Sequence, residues 1–231
     1  MSARFRRYEL RTTDVSAARA FYEAVLGHGG DAIVELPATA RERGAPAHWL
    51  GHIGPVDVDG IVSQWMAGGA MRLGPPSAER AIVRDPNGAT VALTSESPVS
   101  RADVVWHLLN TAHVARALAC YLELFGWQER DCTELPAPFG LQRRFAFGQD
   151  APAAGALTDI SARPTVHEHW LYFFGVPSFD EALARVLANG GEVFAAVEGP
   201  DGVRGAMCHD PQGAAFGLMK ENDGSSTHAR P

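Results

Sequence analysis

The sequence predicts an α+β protein built of tandem duplicated βαβββ modules, forming two curved mixed sheets with helices on the convex side. Three observations lead there. First, Arg84-Asp-Pro-Asn-Gly-Ala-Thr-Val-Ala-Leu-Thr-Ser-Glu96 returns as His209-Asp-Pro-Gln-Gly-Ala-Ala-Phe-Gly-Leu-Met-Lys-Glu221. In the same order, Phe21-Tyr-Glu-Ala-Val-Leu-Gly27 returns as Cys120-Tyr-Leu-Glu-Leu-Phe-Gly126 and Ala47-His-Trp-Leu50 as Glu168-His-Trp-Leu171, which marks an internal duplication. Second, each half opens with a period-two strand pattern that gives way to a helical stripe and then to more strands. Third, each half ends in an Asp-Pro-X-Gly turn between two strand patterns. Duplicated positions are those the fold requires; positions that differ are open to chemistry.

The elements follow in order. A strand over Arg6–Thr13 precedes a helix whose Ala18, Phe21, Tyr22 and Val25 share one face, with Asp14 as N-cap and Gly27 as stop. After the His-Trp-Leu strand, a helix from Asp59 to Ala67 is expected to bury Val62, Trp65 and Met66 and to end at Gly68-Gly69. The second half repeats the plan with a strand over Val104–Thr111 and a helix burying Val114, Leu118, Tyr121 and Phe125 before Gly126. Its second helix opens on a capping box, Ser178-Phe-Asp-Glu181, buries Phe179, Leu183 and Val186, and leaves at Asn189-Gly190. Cys120 falls on the buried helical stripe, where a thiol is unreactive. The offset between halves grows from 99 residues at Tyr22/Tyr121 to 121 at His48/His169. The second half therefore carries two extra strands in that interval, placed at Glu129–Leu135 and Gln142–Gly148, and the first half lacks that hairpin. The expected division is a shortened first domain over 1–99, a second over 100–221, and a disordered tail over 222–231.

Composition bounds the function. Hydrophobic residues at 46% supply a core, and a net charge of −7 argues against nucleic acid or anionic membrane as main partner. Three widely spaced cysteines make no disulfide framework and no metal knuckle. With no signal-peptide core and no run of membrane-spanning length, a cytoplasmic protein is expected.

The strand–helix–strand order, repeated within each half and again across the chain with FYxxxLG- and DPxG-type motifs, resembles the vicinal oxygen chelate superfamily from Arg6 to Glu221. That group includes glyoxalase I, bleomycin-resistance proteins and extradiol dioxygenases, and the likeness is greatest to its tandem two-domain glyoxalase-like members. The resemblance implies a concave site, in the enzymes a divalent metal held by His, Gln or Glu that polarises two substrate oxygens. The family's ligand positions map onto Arg7 and Trp106, Ala92 and Gly217, residues near Leu50 and Leu171, and residues near Ile33 and Leu157. None of these side chains is a metal ligand, so no metal and no other cofactor is expected at the family's usual centre. The alternative is a divalent metal at a relocated histidine site, His167-Glu-His169, whose two imidazoles share a strand face as do His48 and His52. The plainer reading of all four is polar residues satisfied by backbone and water.

Strand alternation puts Arg7, Glu9 and Arg11 on one face with His48, His52, Thr90 and Thr94. In the second half the same face collects Trp106, Leu108, His167, His169, Phe173, Ala215 and Met219. Trp49, Trp170, Tyr8 and His107 alternate to the helix side. Apolar surfaces with a few placed polar groups suit ligands, and small residues at Ala215 and Gly217 would leave space. A small aromatic or amphipathic organic molecule is thus the expected ligand, held by Trp106, Leu108, His167, His169, Phe173 and Met219. The competing readings are Trp106 as plain core and Glu9 as an intrastrand ion pair with its arginines. An enzyme reading makes Glu9 or His169 a general base for lyase or isomerase chemistry, or uses the relocated metal for dioxygenase-type chemistry. A third makes the shortened first half an interaction surface for a second copy of the chain, a homodimer.

Overall fold

A computed structural model describes residues 2–27, 32–96, 103–199 and 202–220. The expected boundary at 99/100 and the tail from 222 lie outside the described residues.

The first half runs β1 (Arg4–Thr12), α1 (Val15–Leu26), β2 (Ala32–Glu35), α2 (Ala38–Glu42), β3 (His48–Gly54), α3 (Val58–Ala67), β4 (Met71–Leu73), β5 (Arg80–Arg84) and β6 (Thr90–Thr94). The second runs β7 (Val104–Thr111), α4 (Val114–Phe125), β8 (Gln128–Leu135), β9 (Gly140–Ala146), β10 (Gly155–Asp159), β11 (His169–Val176), α5 (Phe179–Ala188), β12 (Glu192–Glu198), β13 (Arg204–His209) and β14 (Ala215–Lys220). They form a six-stranded sheet ordered β2-β1-β3-β6-β5-β4 and an eight-stranded sheet ordered β12-β13-β14-β11-β7-β10-β9-β8. In both, the first strand pairs in parallel with the strand that ends its module, β1 with β2 and β7 with β10. The outer hairpin β8–β9 is therefore the addition that the first half lacks. The short α2, absent from the sequence reading, follows β2 in its place.

Helical faces pack inward against one core that draws side chains from both sheets. The repeated motifs meet there. Asp85, in the turn of the first half, accepts the hydroxyl proton of Tyr121 from the second at 2.9 Å and backbone N–H groups of Asn87 and Ala89 at 2.8 and 3.1 Å. Asp210 reciprocates: it accepts from Tyr22 of the first half at 3.2 Å and from Gln212 and Ala214 N–H at 2.9 and 2.8 Å. Trp49 Nε1 donates to Tyr22 and Trp170 Nε1 to Tyr121, at 2.9 and 3.0 Å. Gly88 and Gly213 close the two turns at φ of 111° and 86°, a region costly for any residue with a Cβ. Burial raises both aspartates above the usual carboxylate range and both tyrosines well above theirs. The duplicated Tyr, Trp and Asp-Pro-X-Gly residues are thus a reciprocal clasp between the halves.

Two further equivalent pairs meet at the seam. Tyr8 and His107 join at 2.6 Å, and His107 Nδ1–H donates to Ala154 O at 2.8 Å, so its Nε2 accepts from the phenol. Tyr172 OH accepts from Gly51 N–H at 2.9 Å. Burial lowers His107 to about 4, which keeps it neutral.

Local packing corrects five details. In α4 the buried stripe is Ala117, Leu118, Tyr121 and Phe125, leaving Val114 half-buried. Met66 is 50% exposed, because the buried stripe of α3 is Val58, Val62 and Trp65 and Met66 lies one residue round the helix. In α5 the stripe is Phe179, Ala182 and Val186, leaving Leu183 half-buried. Ser178 is the N-cap of α5 by position but makes no side-chain capping bond. Cys120 is half-buried on the flank of α4, its sulfur accepting from Trp65 Nε1 at 3.0 Å, and burial raises the thiol pKa.

Candidate ligand-binding faces

Each sheet has a face turned away from the helices, and cross-strand register fixes what shares it. In the first sheet one row runs Arg7–His52–Ala92–Ile82–Leu73. The neighbouring rows are Ala32–Glu9–Leu50 and Val34–Arg11–His48; Thr94 pairs with Arg80 and Thr90 with Arg84. Glu9 is only 7% exposed. Its two carboxylate oxygens accept from Arg7 at 3.2 Å and from Arg11 at 2.8 Å. His52 Nε2 lies 4.0 Å from Glu9 Oε2, and neither ring nitrogen of this buried imidazole has a hydrogen-bond partner. His48 donates Nδ1–H to Pro46 O at 2.8 Å. Burial lowers the pKa of both histidines.

The second sheet presents different chemistry on the same plan. The matching row is Trp106–Phe173–Gly217–Met207–Ala195. Leu171, Leu108, Ala156 and Arg144 make the next, followed by His169, Asn110, Thr158, Gln142 and Thr133. Leu108, Phe139, Ala156, Leu171 and Phe173 form a buried floor, with half-exposed Trp106, Leu135, Val197, Met207 and Met219 packed around it. Phe139 comes from the β8–β9 turn, so the hairpin missing from the first half builds one wall here. At one end His169 Nδ1–H donates to His167 O at 2.8 Å, and Nε2 accepts from Asn110 Nδ2 at 3.2 Å. Burial lowers His169 to about 4, so near pH 7 it is a neutral, hydrogen-bonded ring and a weak base. His167 lies outside β11 and is exposed, its ring 5.1 Å from that of His169.

Trp106 stands apart among the five tryptophans. Trp49, Trp65, Trp127 and Trp170 are at most 5% exposed and each donates its indole N–H to a protein acceptor. Trp106 is half-buried and its N–H has no protein acceptor among the described residues. Buried indoles normally find an acceptor, so Trp106 is a wall of the face and not one more core residue.

Two expectations change. The small residue Gly217 does not leave room for a ligand: a Cβ there would land inside the Phe173 ring, which fills that space. The rows also show that the residue beside Arg7 and Ala92 is His52, not Leu50, and that its counterpart is Phe173, not Leu171. The shift of two preserves the face, so alternation alone cannot detect it. Sequence reading missed Asn110, although it continues the alternation of Trp106 and Leu108. It also missed Thr158, Gln142, Phe139 and Met207, which reach the face through long-range pairing that no local pattern encodes.

The donor set does not fit the metal that the fold implies. Arg7, His52 and Ala92 offer one ligand, and Trp106, Phe173 and Gly217 offer none, with an aromatic ring over the glycine. Among the described residues, no three His, Cys, Asp or Glu side chains converge as a metal site. A separate open cleft of about 650 Å³ lies between the start of α3 and the end of α4, on neither face.

A curved-sheet protein of paired βαβββ modules is the class this geometry defines. The family model described as "Glyoxalase/Bleomycin resistance protein/Dioxygenase superfamily" matches residues 103–218, half of the chain, and the chain belongs to that superfamily. It is 29% identical over 247 aligned residues to "Putative glyoxylase CFP32" of Mycobacterium tuberculosis, covering 92% of both chains. It is 26% identical to "Anthracycline biosynthesis protein DauV" of a Streptomyces species, over 78% of this chain and 68% of that one. Among solved structures, the 2,3-dioxygenase LapB from Pseudomonas sp. KL28 superposes with a TM-score of 0.62 at 13% identity, covering 99% of this chain and 95% of LapB. Homoprotocatechuate 2,3-dioxygenase from Brevibacterium fuscum gives 0.59 at 14% identity, covering 99% and 83%. At these identities the structural likeness is one of fold. Among the described residues no helix is long and apolar enough to cross a membrane.

Proposed function

We propose that the second concave face binds a small aromatic or amphipathic organic molecule through its own side chains, without a bound metal. The observation that carries this reading is Trp106, a half-buried indole with no protein acceptor among the described residues, on the rim of an apolar floor that Met207 and Met219 border on the other side. Methionines adapt to irregular shapes, and an aromatic edge offers stacking with freedom of orientation. The row His169–Asn110–Thr158–Gln142 supplies polar groups at one end of the floor, which matches an apolar body with a polar substituent. The Streptomyces relative supports the ligand class by its name: anthracyclines are planar aromatic molecules with polar edges.

The test is a thermal-shift screen of hydroxylated aromatic compounds against chelator-treated protein, repeated on Trp106→Ala. A ligand present at a hundred times its Kd stabilises by about 2.7 kcal/mol, enough to move the midpoint by several degrees. The reading expects hits in chelator that Trp106→Ala loses. Hits that appear only with added divalent metal, or that ignore Trp106→Ala, would remove it.

A further inference from the structure

The first concave face has a donor surplus. Glu9 is the anionic acceptor at its centre, and both of its oxygens are taken, one by Arg7 and one by Arg11. Each guanidinium carries five N–H donors, and among the described residues each of these two uses one of them on a protein acceptor. Their side chains keep 26% and 20% of their surface exposed to the face. His52, 4% exposed, adds an imidazole whose nitrogens are both unpartnered among the described residues, between Arg7 on one side and Ala92 on the other. A buried polar group left unpaired costs free energy, and native structures rarely keep one without a reason. Arg84 adds a further exposed guanidinium on β5, where Arg80 is paired with Glu96 at 3.0 Å, in a chain whose net charge is −7. Beside the cations the same face is apolar, with Leu50 and Ala92 each 1% exposed and Ile82 and Leu73 continuing the row.

We infer that this face is a second ligand site, separate from the aromatic-lined one, and that it takes a small organic carboxylate. The carboxylate receives the unused N–H groups of Arg7 and Arg11, with His52 beside it, while the apolar body lies on the half-buried Ile82 and Leu73. Charge-assisted bonds to guanidinium are the strong, directional kind. Two guanidiniums that share one carboxylate retain a net positive charge for another.

The experiment is an NMR titration of the whole chain, following the histidine ring and arginine Nε–H resonances, with His52 assigned through His52→Gln. Benzoate, the uncharged benzamide and inorganic phosphate are added separately. The expected result is a saturable shift of His52 and of the Arg7 and Arg11 signals with benzoate, no shift with benzamide, and binding at least tenfold weaker in Arg11→Gln. Arg204→Gln, which removes an exposed arginine paired with Asp180, leaves the affinity unchanged. If Arg11→Gln does not fold, the wild-type affinity reads the same claim, since it must fall as salt rises. No saturable shift with benzoate, equal binding of benzamide, saturation by phosphate alone, or a salt-independent affinity would each overturn the proposal.

Discussion

The two sheets carry the same motifs and opposite faces. Tyr22 and Tyr121, Trp49 and Trp170, and Asp85 and Asp210 are identical in both halves, and every one of them is in the clasp between them. Arg7 against Trp106, Glu9 against Leu108, Arg11 against Asn110 and His52 against Phe173 occupy equivalent positions, and in every pair a charged or ionisable side chain faces an uncharged one. All eight look into a concave face. Duplication therefore separates two kinds of constraint in one chain: repeated residues hold the halves together, and divergent ones set the chemistry of each face. The added hairpin β8–β9 sharpens the contrast by giving the second face the wall at Phe139.

If the clasp is reciprocal, Asp85→Ala and Asp210→Ala should be equally damaging. Each strands a buried tyrosine hydroxyl and two backbone N–H groups, a loss of about 4 kcal/mol by urea denaturation. A strongly unequal pair of values would show that one half relies on the other. The seam also sets an acid dependence. His107 titrates near 6.5 when unfolded and about 4 when folded, so its contribution is complete above pH 6.5 and is lost as pH falls toward 4. That contribution is on the order of 2–3 kcal/mol, and His169, lowered in the same way, adds to it. The raised aspartates act in the opposite sense. Urea midpoints measured from pH 7.5 to 4.5 should decline, and His107→Gln should flatten the decline.

Equivalent positions 92 and 217 offer a finer comparison. Gly217→Ala drives a methyl into Phe173 and should cost about 2 kcal/mol, and in a Phe173→Ala background that added cost should shrink. At the matching place in the first sheet the effect is reversed: Ala92→Gly removes a methyl from a strand and should cost about 1 kcal/mol. Both are read from thermal midpoints, and a neutral Gly217→Ala would contradict the packing of the Phe173 ring. Smallest of all in stability is Trp106→Ala, expected to change it by less than about 1 kcal/mol because the indole is half exposed and donates no bond to protein. Its effect belongs to ligand affinity.

Much of this was legible in the sequence because duplication is local and periodic. The four long helices, their stops, the turns and the interval of the extra hairpin follow from stripes at 3.6, alternation at two and the difference between offsets. The polar row Arg7–Glu9–Arg11 also follows from alternation alone. What the sequence hid is long-range. That Arg7 sits beside His52 is set by the long-range pairing of β1 with β3, whose register shifts by one residue at a bulge between Phe5 and Arg7. That Phe173 fills the space above Gly217 depends on which neighbour β14 chooses. The purpose of the repeated tyrosines was invisible as well, since Tyr22 meets its aspartate 188 residues away.

The central claim is that ligand chemistry sits on the divergent faces while the repeated residues stay structural, and the five indoles of this chain can report on it separately. With tryptophan labelled by nitrogen-15 and a screened aromatic ligand titrated in chelator, the Trp106 signal should shift saturably while those of Trp49, Trp65, Trp127 and Trp170 hold still. Shifts at Trp49 or Trp170 with Trp106 unmoved, or a requirement for added metal before any signal moves, would contradict it.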